Sequence, residues 1–208
     1  MSKGVLVVVS GFSGAGKGTV MKRLLEKYDN YALSISVTTR NPRPGEEDGR
    51  EYFFRSREEF EKLIHDDALI EYAQYVENYY GTPRSYVEQQ LLAGKDVILE
   101  IEIQGAMKVK EKIPEALMVF VTPPSVEELQ RRLSGRGTET PEVIAERLSR
   151  ASEEAEGMAE YDYLLVNDDI EECVETLHEI IQSEHRRMTR NEEFVRTIKA
   201  EARALTKN

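Results

Sequence analysis

Residues 11–19 read Gly11-Phe12-Ser13-Gly14-Ala15-Gly16-Lys17-Gly18-Thr19, four glycines and a lysine between an apolar run and a helical pattern. Glycines allow the backbone to turn so that successive N–H groups face one point. The following helix N-terminus adds a partial positive charge there, and Lys17 adds a full one. Such a cradle suits the β and γ phosphates of a nucleoside triphosphate, and ATP is the expected ligand. Where the general pattern carries a Ser or Thr hydroxyl for Mg²⁺ directly after the lysine, this chain has Gly18, with Thr19 one place later. Direct ligation of the metal by this slot is therefore not expected.

Two basic clusters lie elsewhere in a chain whose formal net charge is −11: Arg40, Arg43, Arg50, Arg55 and Arg57, and then Arg131, Arg132 and Arg136. The overall charge excludes a protein that coats nucleic acid, since such binding rests on neutralising phosphates along a basic surface. Local gathering of arginines still suits a small anion. The second cluster, Arg131 to Thr140, is broken by Gly135 and Gly137 and lies between two capped segments, as a mobile basic segment would. Glu100 and Glu102 sit on an apolar strand near its C-terminal end, where an acid can orient Mg²⁺-bound water.

The elements that must position these groups alternate. Val5 to Val9 reads as a buried strand and Gly16 to Lys27 as a helix, and Ala32 to Thr38 alternates as a strand. A turn-rich loop covers Asn41 to Gly49. Ser56 with Glu59 forms a capping box that opens a helix ending near Asp66. Leu69 to Tyr86 is dense in tyrosine and reads as short strands and loops, and a further helix stops at Gly94. Asp96 to Ile103, Leu117 to Val121 and Tyr163 to Val166 are strands; Ser125 with Glu128 forms a second capping box, and Thr140-Pro141 opens another helix. This rhythm predicts an α/β fold, a parallel sheet flanked by helices, interrupted by an insertion.

No apolar run approaches the roughly 18 residues of a membrane span, and the N-terminus lacks the pattern of a secretory signal, so a cytoplasmic location is expected. Cys173 is the only cysteine and reads as a buried thiol. His65, His178 and His185 have no metal-binding spacing. From Glu184 to Asn208 seven Lys or Arg accompany four acids, a basic helical tail on an acidic body.

The segments Ser36-Val37-Thr38-Thr39-Arg40-Asn41-Pro42-Arg43-Pro44-Gly45-Glu46, Gly49 to Phe54, Glu71-Tyr72-Ala73 and Asn78-Tyr79-Tyr80-Gly81-Thr82, together with the Gly-Lys-Gly-Thr ending of the phosphate loop, resemble guanylate kinases. The resemblance runs to about residue 184. It implies the P-loop NTPase fold and a guanylate-kinase-like domain over 4–184. Within it the core is 1–33, 95–125 and 141–184, a mixed α/β GMP-binding subdomain is inserted at 34–94, a small lid spans 126–140, and a charged helical tail covers 185–208. It implies transfer of the γ-phosphoryl group of ATP to GMP, with dGMP as a plausible alternative acceptor and Mg²⁺ as cofactor. ATP would be held by residues 11–19 and Asn167. GMP would be held by Ser36, Arg40, Arg43, Tyr52, Glu71, Tyr80, Thr82 and Glu102, the arginines and tyrosines on phosphate and the others around guanine. Lys17, Arg40, Arg132, Arg136 and Arg147 would be catalytic, and Glu100 or Glu102 would reach the metal only through water. Asn167 stands equally as a residue capping the final helix of the domain.

The chemistry agrees with the resemblance. A phosphate dianion suits forked arginines and phenol donors, and adjacent guanine donors suit a carboxylate such as Glu71. Two other readings stay open: a guanylate-kinase-like protein-binding module, against which the intact phosphate loop weighs, and a kinase with another acceptor, against which Ser36, Glu71 and Thr82 weigh.

Overall fold

The computed structural model describes residues 3–75, 77–135 and 141–205. Its core is a five-stranded, all-parallel sheet of β1 (Leu6–Gly11), β2 (Tyr31–Leu33), β7 (Asp96–Glu100), β8 (Leu117–Thr122) and β9 (Tyr163–Val166), in the order β2-β7-β1-β8-β9. The central strand β1 pairs with β7 on one side and β8 on the other. Its apolar run over 6–9 follows from burial on both faces, and the buried Ser10 after it donates its hydroxyl to Ile101 O at 2.7 Å. Val7 and Val9 pack into one apolar cluster with Val20, Met21 and Leu24 of α1 (Lys17–Lys27) and with Val174, Leu177 and Ile181 of α7 (Ile170–Glu184). Leu6 and Val8 face the opposite cluster, with Val87 and Leu91 of α3 (Arg84–Leu92) and Ala106 and Val109 of α4 (Ile103–Lys112). A strand buried on both faces has no polar positions to alternate.

The insertion forms a second sheet, β4-β3-β6-β5, built from β3 (Val37–Thr38), β4 (Phe53–Phe54), β5 (Leu69–Tyr75) and β6 (Asn78–Pro83). β6 runs antiparallel to both β3 and β5. Under it lies α2 (Arg57–His65), whose Phe60 is fully buried with Val37 and Leu69. The Ser56–Glu59 capping box forms with both reciprocal bonds, Glu59 N to Ser56 Oγ at 3.2 Å and Ser56 N to Glu59 Oε2 at 2.8 Å.

Three expectations change. The run from Ala32 to Thr38 is two strands: the chain leaves the core sheet after Leu33 and enters the inserted sheet at Val37. The strand expected from Asp96 to Ile103 ends at Glu100, because Glu102 takes an extended N-cap conformation and Ile103 begins α4. The second capping box is half made. Ser125 Oγ accepts Glu128 N at 3.1 Å, but the Glu128 carboxylate is drawn the other way by Arg131 and Arg132 of α5 (Val126–Ser134), which hold its pKa down at about 2.

α6 (Pro141–Glu156) follows the segment 136–140, which lies outside the described residues together with Arg136, Gly137 and Thr140. After α7 a short 3-10 turn (Met188–Asn191) leads into α8 (Glu192–Leu205), whose Phe194 and Ile198 are exposed. No helix among the described residues is long and apolar enough to cross a membrane.

Candidate functional site

The phosphate loop leaves the C-terminal end of β1 and turns into α1. Gly16 is the N-cap of that helix with φ 89°, a left-handed conformation that L side chains rarely adopt, and no side chain caps the first N–H groups. They remain available to an anion. A Cβ on Gly16 would lie 2.5 Å from Nδ2 of Asn167. That amide is buried and donates to Ala15 O at 2.7 Å, so Asn167 braces the loop from behind. It does not cap α7: Asp169 is the N-cap there, accepting from Glu171 N and Glu172 N.

Lys17 Nζ folds onto the loop, donating to Gly11 O at 2.6 Å and Phe12 O at 3.2 Å. Phe12 anchors the loop in the core, edge-on to Phe120 with ring centroids 5.1 Å apart. Two of the arginines expected to be catalytic reach the same loop. Arg132 from α5 donates Nη2 to Asn167 O at 2.9 Å, and its Nη1 lies 3.5 Å from Ala15 O. Arg147 from α6 donates Nη1 to Ser13 Oγ at 3.2 Å. Arg131 points away and is largely exposed.

Glu100 projects from the end of β7 toward α1, and a Cβ on Gly18 would lie 4.0 Å from its Oε1. The carboxylate is reached by water yet surrounded by protein. Desolvation raises its pKa, Lys17 opposes the shift, and Glu102 adds to it. Glu102 is exposed at the start of α4. Among the described residues no group of three His, Cys, Asp or Glu could hold a metal ion directly. A carboxylate facing the slot beside Lys17 fits an ion held through its water shell and triphosphate oxygens. Since the space at Gly18 accommodates a methyl group, Gly18→Ala is expected to leave the Mg²⁺ concentration dependence of kcat within about twofold. A large shift in a Mg²⁺ titration, with ATP affinity preserved, would place this slot on the metal.

Glu154 of α6 and Tyr161 were not marked in the sequence, which gives no local signal for them. Among the described residues, the buried Glu154 Oε2 and Tyr161 hydroxyl have no hydrogen-bond partner. Burial raises both pKa values, that of Tyr161 to about 12.

On the inserted sheet the expected phosphate ligands gather. The Arg40 guanidinium lies over the Tyr52 ring at 5.3 Å, and the Tyr52 and Tyr80 rings are 6.0 Å apart. Arg40 is held by Glu46 through Nη1 to Oε2 and Nη2 to Oε1, both 2.9 Å, a partner the sequence reading did not identify. The Arg43 side chain is exposed on the same loop. Ser36 lies just before β3, where its carbonyl accepts Phe53 N at 2.9 Å.

Glu71 on β5 and Thr82 on β6 come from opposite arms of one hairpin. Thr82 Oγ1 donates to Glu71 Oε1 at 2.7 Å, and both residues are buried. Glu71 Oε2 faces the first turn of α4, 3.0 Å from where a Cβ on Gly105 would stand. Desolvation raises the Glu71 pKa, opposed by the Thr82 hydroxyl and by Lys108 and Lys112. A buried carboxylate with one oxygen committed to Thr82 and the other without a donor among the described residues suits a ligand presenting N–H groups.

Comparison with known proteins points to one family. Residues 3–184 match the family model described as guanylate kinase. A guanylate kinase of Lactococcus lactis is 55% identical over 188 residues, covering 90% of this chain and 92% of the relative. One of Oceanobacillus iheyensis is 54% identical over 183 residues, covering 88% and 89%. The crystal structure of guanylate kinase from Anaplasma phagocytophilum superimposes with a TM-score of 0.72 at 37% identity, covering 91% of this chain and 90% of that one.

Proposed function

We propose, from the premise that this chain belongs to the guanylate kinase family and is an ATP:GMP phosphotransferase, that the two clusters divide the substrates between them. The P-loop takes ATP and the inserted sheet takes GMP. The observation that carries the reading is the convergence of Lys17, Arg132 and Arg147 on one glycine-rich loop, beside a separate buried Glu71–Thr82 pair.

In this mechanism residues 11–19 hold the β and γ phosphates by backbone N–H groups and Lys17, with Asn167 keeping the loop in place. Arg40, Arg43, Tyr52 and Tyr80 take the acceptor phosphate. Glu71, assisted by Ser36, Thr82 and Glu102, accepts the N–H donors of guanine. The attacking phosphate oxygen is already ionised, so no general base is required. Lys17, Arg132, Arg147 and Arg136, the last outside the described residues, neutralise the charge of the transferring group. Glu100 or Glu102 would reach Mg²⁺ only through water, and the ion, when bound, would neutralise polyphosphate charge. Residues 34–94 act as the acceptor subdomain and 126–140 as a lid that excludes water on closure. The expected setting is the cytoplasm, with dGMP as a second acceptor.

The test is a coupled assay of ATP consumption with GMP, AMP, CMP, UMP and dTMP in turn. GMP is expected to lead by at least about 10² in kcat/KM, because buried groups left unpaired by the wrong base discriminate strongly. Equal turnover of AMP would overturn the acceptor assignment.

A further inference from the structure

Of the two arginines assigned to the acceptor phosphate, Arg40 is not a free cation. Its fork is closed end-on by Glu46, both oxygens at 2.9 Å, in a pair that is mostly shielded from water. The same carboxylate accepts the backbone N–H of Arg43 at 2.7 Å. Glu46 therefore ties the Arg40 side chain to the backbone that carries Arg43.

The carboxylate is itself fixed. Glu46 N donates to Arg43 O at 3.0 Å, closing a tight turn, and Gly45 inside it has φ 89°. Arg40 Nη1 also donates to Asn41 O at 2.7 Å, and its guanidinium plane covers the rings of Tyr52 and Phe54. With the Nη1/Nη2 end of the fork occupied, the Nε/Nη2 side is the remaining bidentate edge. The Tyr80 ring lies 6.0 Å from that of Tyr52, on which the guanidinium is stacked, so a second phenol is close to this edge.

We infer that Glu46 is a positioning residue for the acceptor phosphate: its carboxylate brackets Arg40 and the Arg43 backbone so that one edge of the Arg40 fork, with Tyr52 and Tyr80, is preset to receive a phosphate dianion. The inference rests on the acceptor reading above. It has a rival with the opposite sign. A carboxylate in an arginine fork is also a rival anion, and simple electrostatics predicts that neutralising it would tighten the binding of a dianion. A bracket anchored to the backbone at Arg43 predicts weaker binding, because the arginine must then be ordered by the ligand itself. Arg40 holds the Glu46 pKa below the usual carboxylate value, so the bracket stays charged across neutral pH.

The experiment uses the full chain with Glu46→Gln and Glu46→Asp, in steady-state kinetics and in calorimetric binding of GMP and guanosine. Glu46→Gln is expected to raise KM for GMP about tenfold while leaving KM for ATP and the affinity for guanosine, which has no phosphate, within about twofold. Glu46→Asp keeps the charge but is too short to reach both Arg40 and the Arg43 N–H, so it should fall between Glu46→Gln and wild type. It also serves if Glu46→Gln melts early. A lower KM for GMP in Glu46→Gln would establish the rival-anion role, and an unchanged one would remove any role; either overturns the bracket. Equal losses for GMP and guanosine would reduce Glu46 to loop stability. If the wild type fails to turn over GMP, the acceptor assignment falls first, and this inference with it.

Discussion

Replacing Glu71 by Gln is expected to lower kcat/KM for GMP by roughly 10² or more, while leaving the protein no less stable at pH 7. The hydroxyl of Thr82 fills one carboxylate oxygen, so the other is the group available to guanine N–H donors. A glutamine keeps an acceptor for Thr82 but sets an N–H₂ where the ligand also brings donors. Adenine offers an acceptor beside its amino group, so preference over AMP narrows without reversing.

The stability half follows from the raised pKa of Glu71, whose largest cause is desolvation. The folded protein holds this proton more tightly than the unfolded chain. The stability contributed by that bias is full below the ordinary carboxyl range and is lost as pH rises through the raised value. At neutral pH the ionised side chain is a cost that glutamine removes. The difference in Tm between variant and wild type should therefore be smallest in acid and grow in the variant's favour toward pH 7. Wild-type discrimination between GMP and AMP in Glu71→Gln would show that this residue does not read the base.

Lys17→Ala is expected to lower kcat by roughly 10² to 10³, equivalent to about 3 to 4 kcal/mol of transition-state stabilisation. Among the described residues its ammonium donates to the carbonyls of Gly11 and Phe12, so folding should survive; the apolar anchor of the loop is Phe12, not Lys17. Lys17→Arg should not restore the rate, because a planar fork does not fit where one compact charge lies between two carbonyls. Single-turnover kinetics with a Tm control would decide, and a kcat within threefold of wild type would remove Lys17 from the chemistry.

What was legible in the chain follows from how local each device is. The phosphate loop, the Ser56 cap and the apolar run that opens β1 are each written within a few consecutive residues and could be read directly. The break between β2 and β3 could not. Alternation with period two continues through Ser34, Ile35 and Ser36, whichever sheet the flanking residues join, so pattern alone cannot mark the transfer. Glu100-Ile101-Glu102-Ile103 hid the start of α4 for the same reason. The resemblance supplied Asn167 as a residue near ATP, but its bond to Ala15 spans 152 residues, and nothing near Asn167 announces it. Glu46 was visible only as one more acid in a charged loop, because its role depends on how a turn brings it back to Arg40.

The two sheets also differ in how much apolar substance holds them. The core sheet is sandwiched between large clusters on both faces, whereas the inserted one rests on Val37, Phe60 and Leu69 with a few half-buried neighbours, tied to the core through Ile70 of β5. Opening free energies scale with such burial, so amides of β3 to β6 should exchange with deuterium through sub-global excursions while those of β1, β7 and β8 wait for complete unfolding. A nucleotide bridging Arg40 and Glu71 would then act as missing core for the smaller unit. The acceptor subdomain would become cooperative with the rest of the molecule only while it holds its substrate.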